Sequence, residues 1–222
     1  KLFSYYGSRI SVLPKSQFGQ GYDFYYDIVE RNLRKNPLAF CSYEEFRGWQ
    51  EFSVSELHYL CSNKLASWLK QGVEPGKKLC LLLPIGCPYL VSLLTALRLG
   101  LIVCSLPPLG DHFLQTRLKS LAPDYIVTGE IYVPHIGDFA KKILPDIETD
   151  VLENANSYTY SSQSLVGNFW ATLSEPYNIP HAVSGEQLYL QAIRDGILAF
   201  LLSPGDYFAA PGFHPLQYQP DM

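Results

Sequence analysis

The sequence predicts an α/β fold: a parallel-rich sheet covered by helices on both faces. Two observations predict it. LCLLLP (79–84) and LIVCSL (101–106) are short, continuously apolar runs, which suit strands buried on both faces. Segments of helical period alternate with such runs through short loops, and that alternation leads a chain into parallel strands with crossover helices.

The elements follow in order. Residues 1–22 hold no sustained period and read as an extended lead-in, with turns at Gly7, Pro14 and the glycines near position 20. YDFYYDIVERNLRK (22–35) spaces apolar residues as a helix does and stops before Asn36-Pro37. LAFCSY (38–43) reads as a strand, and EEFRGWQEF (44–52) as a turn about Gly48 that brings the chain back as a hairpin. Ser53 and Glu56 form a capping box, after which Leu57, Leu60, Cys61, Leu65, Trp68 and Leu69 line one helix face up to Gly72. Helix 88–99 has Pro88 at its start and Gly100 just past its end. HFLQTRLKSLA (112–122) is a further helix and DYIVTG (124–129) a further strand.

These elements make 23–144 a first α/β unit. Residues 145–170 are rich in Ser and Asn, lack a period, and read as a flexible polar linker. Residues 171–222 then hold a loop, a helix over 185–202, a short strand YFAAP (207–211) and the opening of a second α/β unit.

Bulk composition excludes several function classes. With 222 residues, 47% hydrophobic and 17% charged, the chain is expected to bury a substantial core. A net charge of −4, with both signs interspersed, offers no basic field for a nucleic-acid backbone. The longest apolar run, 89–106, is interrupted by Arg98 and Gly100, so no membrane span is expected. The 5 cysteines form no C-x-x-C pair and sit mostly in apolar runs, which points to a reducing, cytoplasmic setting. No charged-then-apolar leader is present, so no signal peptide is expected; the chain begins at Lys1 instead of Met, so trimming is expected at its start, and the same is open at its far end. His58, His112 and His135 lack partners at metal-ligand spacing, and no G-x-S-x-G, H-E-x-x-H or G-x-G-x-x-G occurs.

Taken together, FSVSEL (52–57), LASWLKQGVEPGKKLCLLLP (65–84), LLTALRLGLIVCSLPP (93–108), FLQTRL (113–118) and DYIVTG (124–129) resemble, by their succession, the amino-terminal portion of the adenylate-forming superfamily. That superfamily includes acyl-CoA synthetases, fatty acyl-AMP ligases, luciferases and nonribosomal adenylation domains. The resemblance covers nearly the whole chain and implies a first subdomain followed by an incomplete second one. It also implies that a Ser/Thr/Gly-rich loop ending in Pro-Lys, which wraps the ATP phosphates, falls at WATLSEPYNIPH (170–181).

In that loop Thr172, Glu175, Pro176, Ile179, Pro180 and His181 keep what some branches carry, whereas Trp170, Ala171, Leu173, Ser174 and Tyr177 do not. Amides reach a triphosphate only where side chains leave the turn open, and Trp170 and Leu173 add bulk there. Tyr177 offers a neutral hydroxyl where the resemblance expects a cation. Losing one donor aimed at developing charge typically costs roughly a hundred- to a thousand-fold in rate. The phosphate-loop remnant is therefore Thr172, Ser174, Glu175, Pro176 and Tyr177, with no catalytic residue assigned.

For Tyr177 the readings are a phosphate-contacting hydroxyl or an aromatic filler. For Thr172 and Ser174 they are anion donors at a helix start or plain turn formers. His181 reads as structural. PGFHPL (211–216) resembles the aromatic-histidine segment beside the family's acyl pocket, so Phe213 and His214 are substrate-pocket candidates, with a histidine in a proline-rich turn as the other reading.

The resemblance implies a carboxylate or acyl small molecule as ligand, with ATP and magnesium only where a complete enzyme is assembled. Three functions remain open: a non-adenylating binding or interaction module, one part of an acyl-activating ligase completed by another chain or further sequence, or an acyl carrier or sensor. In the second case a protein partner would cover the missing half.

Overall fold

The structure is a computed structural model that describes residues 19–44, 48–106, 111–147, 155–169, 180–202 and 205–206. Helix α1 (Phe24–Ile28) starts at Asp23, whose carboxylate accepts from the Tyr26 amide at 2.9 Å and so satisfies one of the free donors of the first turn. The same carboxylate accepts from the Ser157 hydroxyl at 2.7 Å, pinning a distant segment to this helix start. The helix expected over 22–35 is realised in two pieces, α1 and a 3-10 turn over Glu30–Asn32, separated at Val29 (φ −110, ψ −64).

Strands β1 (Leu38–Glu44) and β2 (Gly48–Ser53) form the expected antiparallel hairpin. Gly48 supplies a φ of +71 as β2 begins. On the inner face Phe40 stacks on Phe52 with centroids 4.6 Å apart. Tyr43 and Trp49 pair edge to face outside, 5.6 Å apart.

Helix α2 (Val54–Lys70) opens on the predicted capping box. The Ser53 amide donates to Glu56 at 2.8 Å, and the Glu56 amide donates back to the Ser53 hydroxyl at 3.3 Å. Leu57, Cys61, Leu65 and Trp68 are buried as the period requires, whereas Leu69 turns out to 37% exposure because Trp68 takes the inward position beside it.

Strand β3 (Lys78–Leu82), helix α3 (Cys87–Leu99), strand β4 (Ile102–Ser105), helix α4 (Asp111–Leu121) and strand β5 (Tyr125–Thr128) build the predicted alternation. Two 3-10 turns over Glu130–His135 and Gly137–Lys142 follow, then β6 (Leu165–Phe169), β7 (His181–Ser184) and α5 (Gly185–Ala192). The five-stranded sheet has the order β5-β3-β4-β6-β7, parallel except for the final pair β6 and β7.

Strand alternation decides which helix covers which face. Leu79, Leu81, Val103 and Val127 pack with Trp68 of α2 and Ala96 of α3. Their neighbours Cys80, Leu82, Cys104 and Ile126 pack with Leu114, Leu118 and Leu121 of α4 on the other side. Each fully buried leucine here contributes on the order of 1.5–3 kcal/mol relative to exposure.

The stretch 145–170 differs from the flexible linker that its composition suggests. Its described part carries β6, and Tyr160 pairs in both directions with Tyr22, at 2.8 and 2.9 Å. Tyr158 lies against Gly100, where an added Cβ would come within 2.5 Å of its ring. Long-range pairing, invisible to local composition, holds the described part of this polar segment. The helix over 185–202 is likewise α only to Ala192. From Ile193 to Ala199 it widens into π-helical turns that contain Gly196. Among the described residues, no helix is long and apolar enough to cross a membrane.

Candidate functional site

The parallel strands place their carboxyl ends on one edge, at Leu82, Ser105, Thr128 and Phe169. After β3 the chain leaves toward α3 on one face, and after the adjacent β4 toward α4 on the other. Open α/β sheets bind ligands where adjacent connections diverge in this way, because the two loops part and leave a crevice.

On the β3 side its described wall is 84–87, with Ile85 54% exposed and Gly86 as the N-cap of α3. On the β4 side Ser105 is buried and its hydroxyl lies 2.7 Å from the Tyr89 hydroxyl. Gly86 lends α3 no side-chain cap, so the first-turn amides are left to other acceptors. Below the crevice the thiols are inert. Burial pushes Cys104 up to about 12, and burial together with Cys104 raises Cys80 well above the usual thiol value.

The ends of β6 and β7 that flank the sequence-predicted loop lie at this same edge. Their outermost pair is Phe169 with His181, so residues 170–180 connect the two strands at the carboxyl end of β6, one strand from Ser105. Gly167 allows β6 to lie close to β4. A Cβ there would come within 2.8 Å of the Val103 carbonyl and 2.2 Å of the Phe169 ring. Asn168 is buried, with its amide 3.9 Å from the Cys104 sulfur. Past the loop, Ser184 and Gln187 form a second capping box that launches α5.

Thr172, Ser174, Glu175, Pro176 and Tyr177 lie outside the described residues, as do Phe213 and His214. His181 is exposed as the first residue of β7, immediately after the loop. The sequence reading passed over Ser105, Tyr89 and Asn168. A polar residue ending a continuously apolar strand, as Ser105 ends IVCS, is the signal that marks the crevice.

No family model matches the sequence, and no curated protein does. Solved structures do match. An acyl-CoA synthetase from Brucella canis superposes with a TM-score of 0.71 at 14% identity, over 90% of this chain and 40% of that one. The fold is that of the amino-terminal portion of adenylate-forming enzymes. A fatty acid AMP ligase from Legionella pneumophila gives 0.62 at 18% identity, over 81% of this chain and 33% of that one. The N-terminal subdomain of Klebsiella oxytoca NpsA gives 0.61 at 12%, over 78% and 44% respectively. The chain thus spans less than half of each of these matched structures, and identities this low speak for the fold alone.

Proposed function

We propose that this chain is an adenylate-forming scaffold that does not adenylate by itself and acts as a binding or interaction module. One observation supports the reading: β6 ends at Phe169 on the carboxyl edge of the sheet, and the sequence that follows, WATLSEPYNIP (170–180), holds no lysine, arginine or glycine. That composition offers a polyanion Glu175 and bulky side chains in place of the glycines and the cation it needs. The ligand class that fits the scaffold is a fatty or other hydrophobic carboxylate, with Phe213 and His214 as pocket residues. Titration calorimetry with magnesium-ATP tests the reading. The expected result is no binding tighter than about 1 mM, and micromolar, magnesium-dependent binding by this chain alone refutes it.

The coverage of 40% of the Brucella canis chain favours a second reading, in which further polypeptide completes an acid-activating ligase. Pyrophosphate exchange with fatty acids that appears only after such a polypeptide is added supports it. Its absence in every combination returns the chain to the module reading.

A further inference from the structure

At the other end of β6 and β7, where β7 passes into α5, lies a second concavity. It is a cleft of about 380 Å³ between α1, with its 3-10 extension, and α5. That volume falls within the roughly 300–1,000 Å³ of small-molecule sites. Two aromatic rings, Phe24 and Tyr189, line it and are themselves nearly buried, at 8% and 6% exposure. Tyr22 stacks on Phe24 at 6.0 Å and lies tilted against Tyr189 at 5.1 Å, which fixes both rings against the core.

One wall of the cleft carries both signs of charge. Asp27 is 8% exposed, and Arg31 follows four positions later, half-buried. Beside Arg31, the Asn32 amide is held by a 3.0 Å bond to the Ile28 carbonyl, which orients its carboxamide. The Tyr189 phenol is held above its usual value by burial, by Tyr22 and by the Asp27 carboxylate, so it remains a neutral hydroxyl. Ile28 and Ala192 complete the lining with apolar surface open to solvent.

We propose that this cleft binds a small zwitterion of the apolar α-amino-acid class. The ligand ammonium lies against Asp27 and the aromatic faces, which attract cations. Its carboxylate points to the Arg31 guanidinium, and its side chain covers Ile28 and Ala192. A plain amine would offer Arg31 no carboxylate, and a plain carboxylate would offer Asp27 no ammonium. Opposite charges on neighbouring atoms suit both residues.

Calorimetric titration of the whole chain with leucine, isoamylamine and isocaproate tests this, because the last two each keep the side chain and lack one charge. Leucine is expected to bind at least about tenfold more tightly than either. Asp27→Asn is expected to weaken leucine by about ten- to a hundredfold. Ala192→Trp fills the mouth without altering either charge and is expected to abolish binding, which keeps the test valid if Asp27→Asn does not fold. No leucine binding up to about 10 mM, equal binding of either analogue, or undiminished binding by Ala192→Trp overturns the proposal. The ATP titration reads the opposite end of the sheet, so either reading can fail without the other.

Discussion

Replacing Arg98 by Ala is the most informative perturbation of this fold. Arg98 interrupts an otherwise apolar helix, and its side chain is 3% exposed. It donates to the Ser62 hydroxyl of α2 at 2.8 Å and to the Ala155 carbonyl at 3.0 Å, and lies 3.9 Å from the Glu30 carboxylate. Its guanidinium carbon sits 4.9 Å from the centroid of the Tyr25 ring of α1. One side chain therefore joins α1, α2, α3 and the segment before β6.

Each hydrogen bond from a charged group contributes about 1.5–3 kcal/mol, and a desolvated cation–π contact about 2. These terms overlap, and the cost of burying the guanidinium offsets part of them. Losses measured on breaking buried charge pairs centre on about 3–5 kcal/mol, which we expect for Arg98→Ala. Domains of this size hold about 5–15 kcal/mol in all, and each kcal/mol shifts the melting midpoint by about 2–4 °C, so a fall of roughly 6–20 °C follows. Arg98→Lys keeps the charge but loses the planar stack and fork, and should fall between. Urea unfolding followed by tryptophan fluorescence, with Tyr25→Leu as the second arm of a double-mutant cycle, gives the numbers. A loss below about 1 kcal/mol for Arg98→Ala, or strict additivity with Tyr25→Leu, would refute the assignment of Arg98 as the joint.

Gly100→Ala strains a φ of +80 and drives a Cβ to within 2.5 Å of the Tyr158 ring, so a loss of about 2–4 kcal/mol is expected in thermal denaturation; an unchanged midpoint would show that Tyr158 does not pack there. His58, with Nδ1 3.1 Å from the Tyr25 hydroxyl, is held below the usual 6.5, first by burial and then by the charge of Arg98. A base whose folded value is depressed binds its proton more readily when unfolded. Its contribution is therefore fully present above 6.5 and is lost as pH falls from there toward the folded value. Urea midpoints compared between about pH 8 and about pH 5 should drop more in the native chain than in His58→Gln, and an equal drop in both removes His58 as the cause.

Much of the first α/β unit was legible because its signals are local. LCLLLP and IVCS announce buried strands by composition alone, Ser53 and Glu56 mark a helix start within four residues, and Gly100 marks a stop. Beside the candidate site the helix read from 185 onward was legible in its first part, Gly185–Ala192, whereas residues 170–179 lie outside the described residues. LVGNF was not legible as a strand. Its polar surroundings give no period, and its stability comes from β4 and β7, whose paired residues lie far along the chain. The outward turn of Leu69, the π-helical widening after Ala192 and the two-piece helix at Val29 are also set by packing.

By itself, then, the sequence determined which short segments bury and which turn, since backbone propensity and apolar spacing act over a few residues. Only the tertiary structure decided the strand order, the common edge at which β4 and β6 end, and the burial of Arg98 among three helices. Those outcomes depend on contacts between residues tens of positions apart, whose free energy appears only when distant surfaces meet and exclude water.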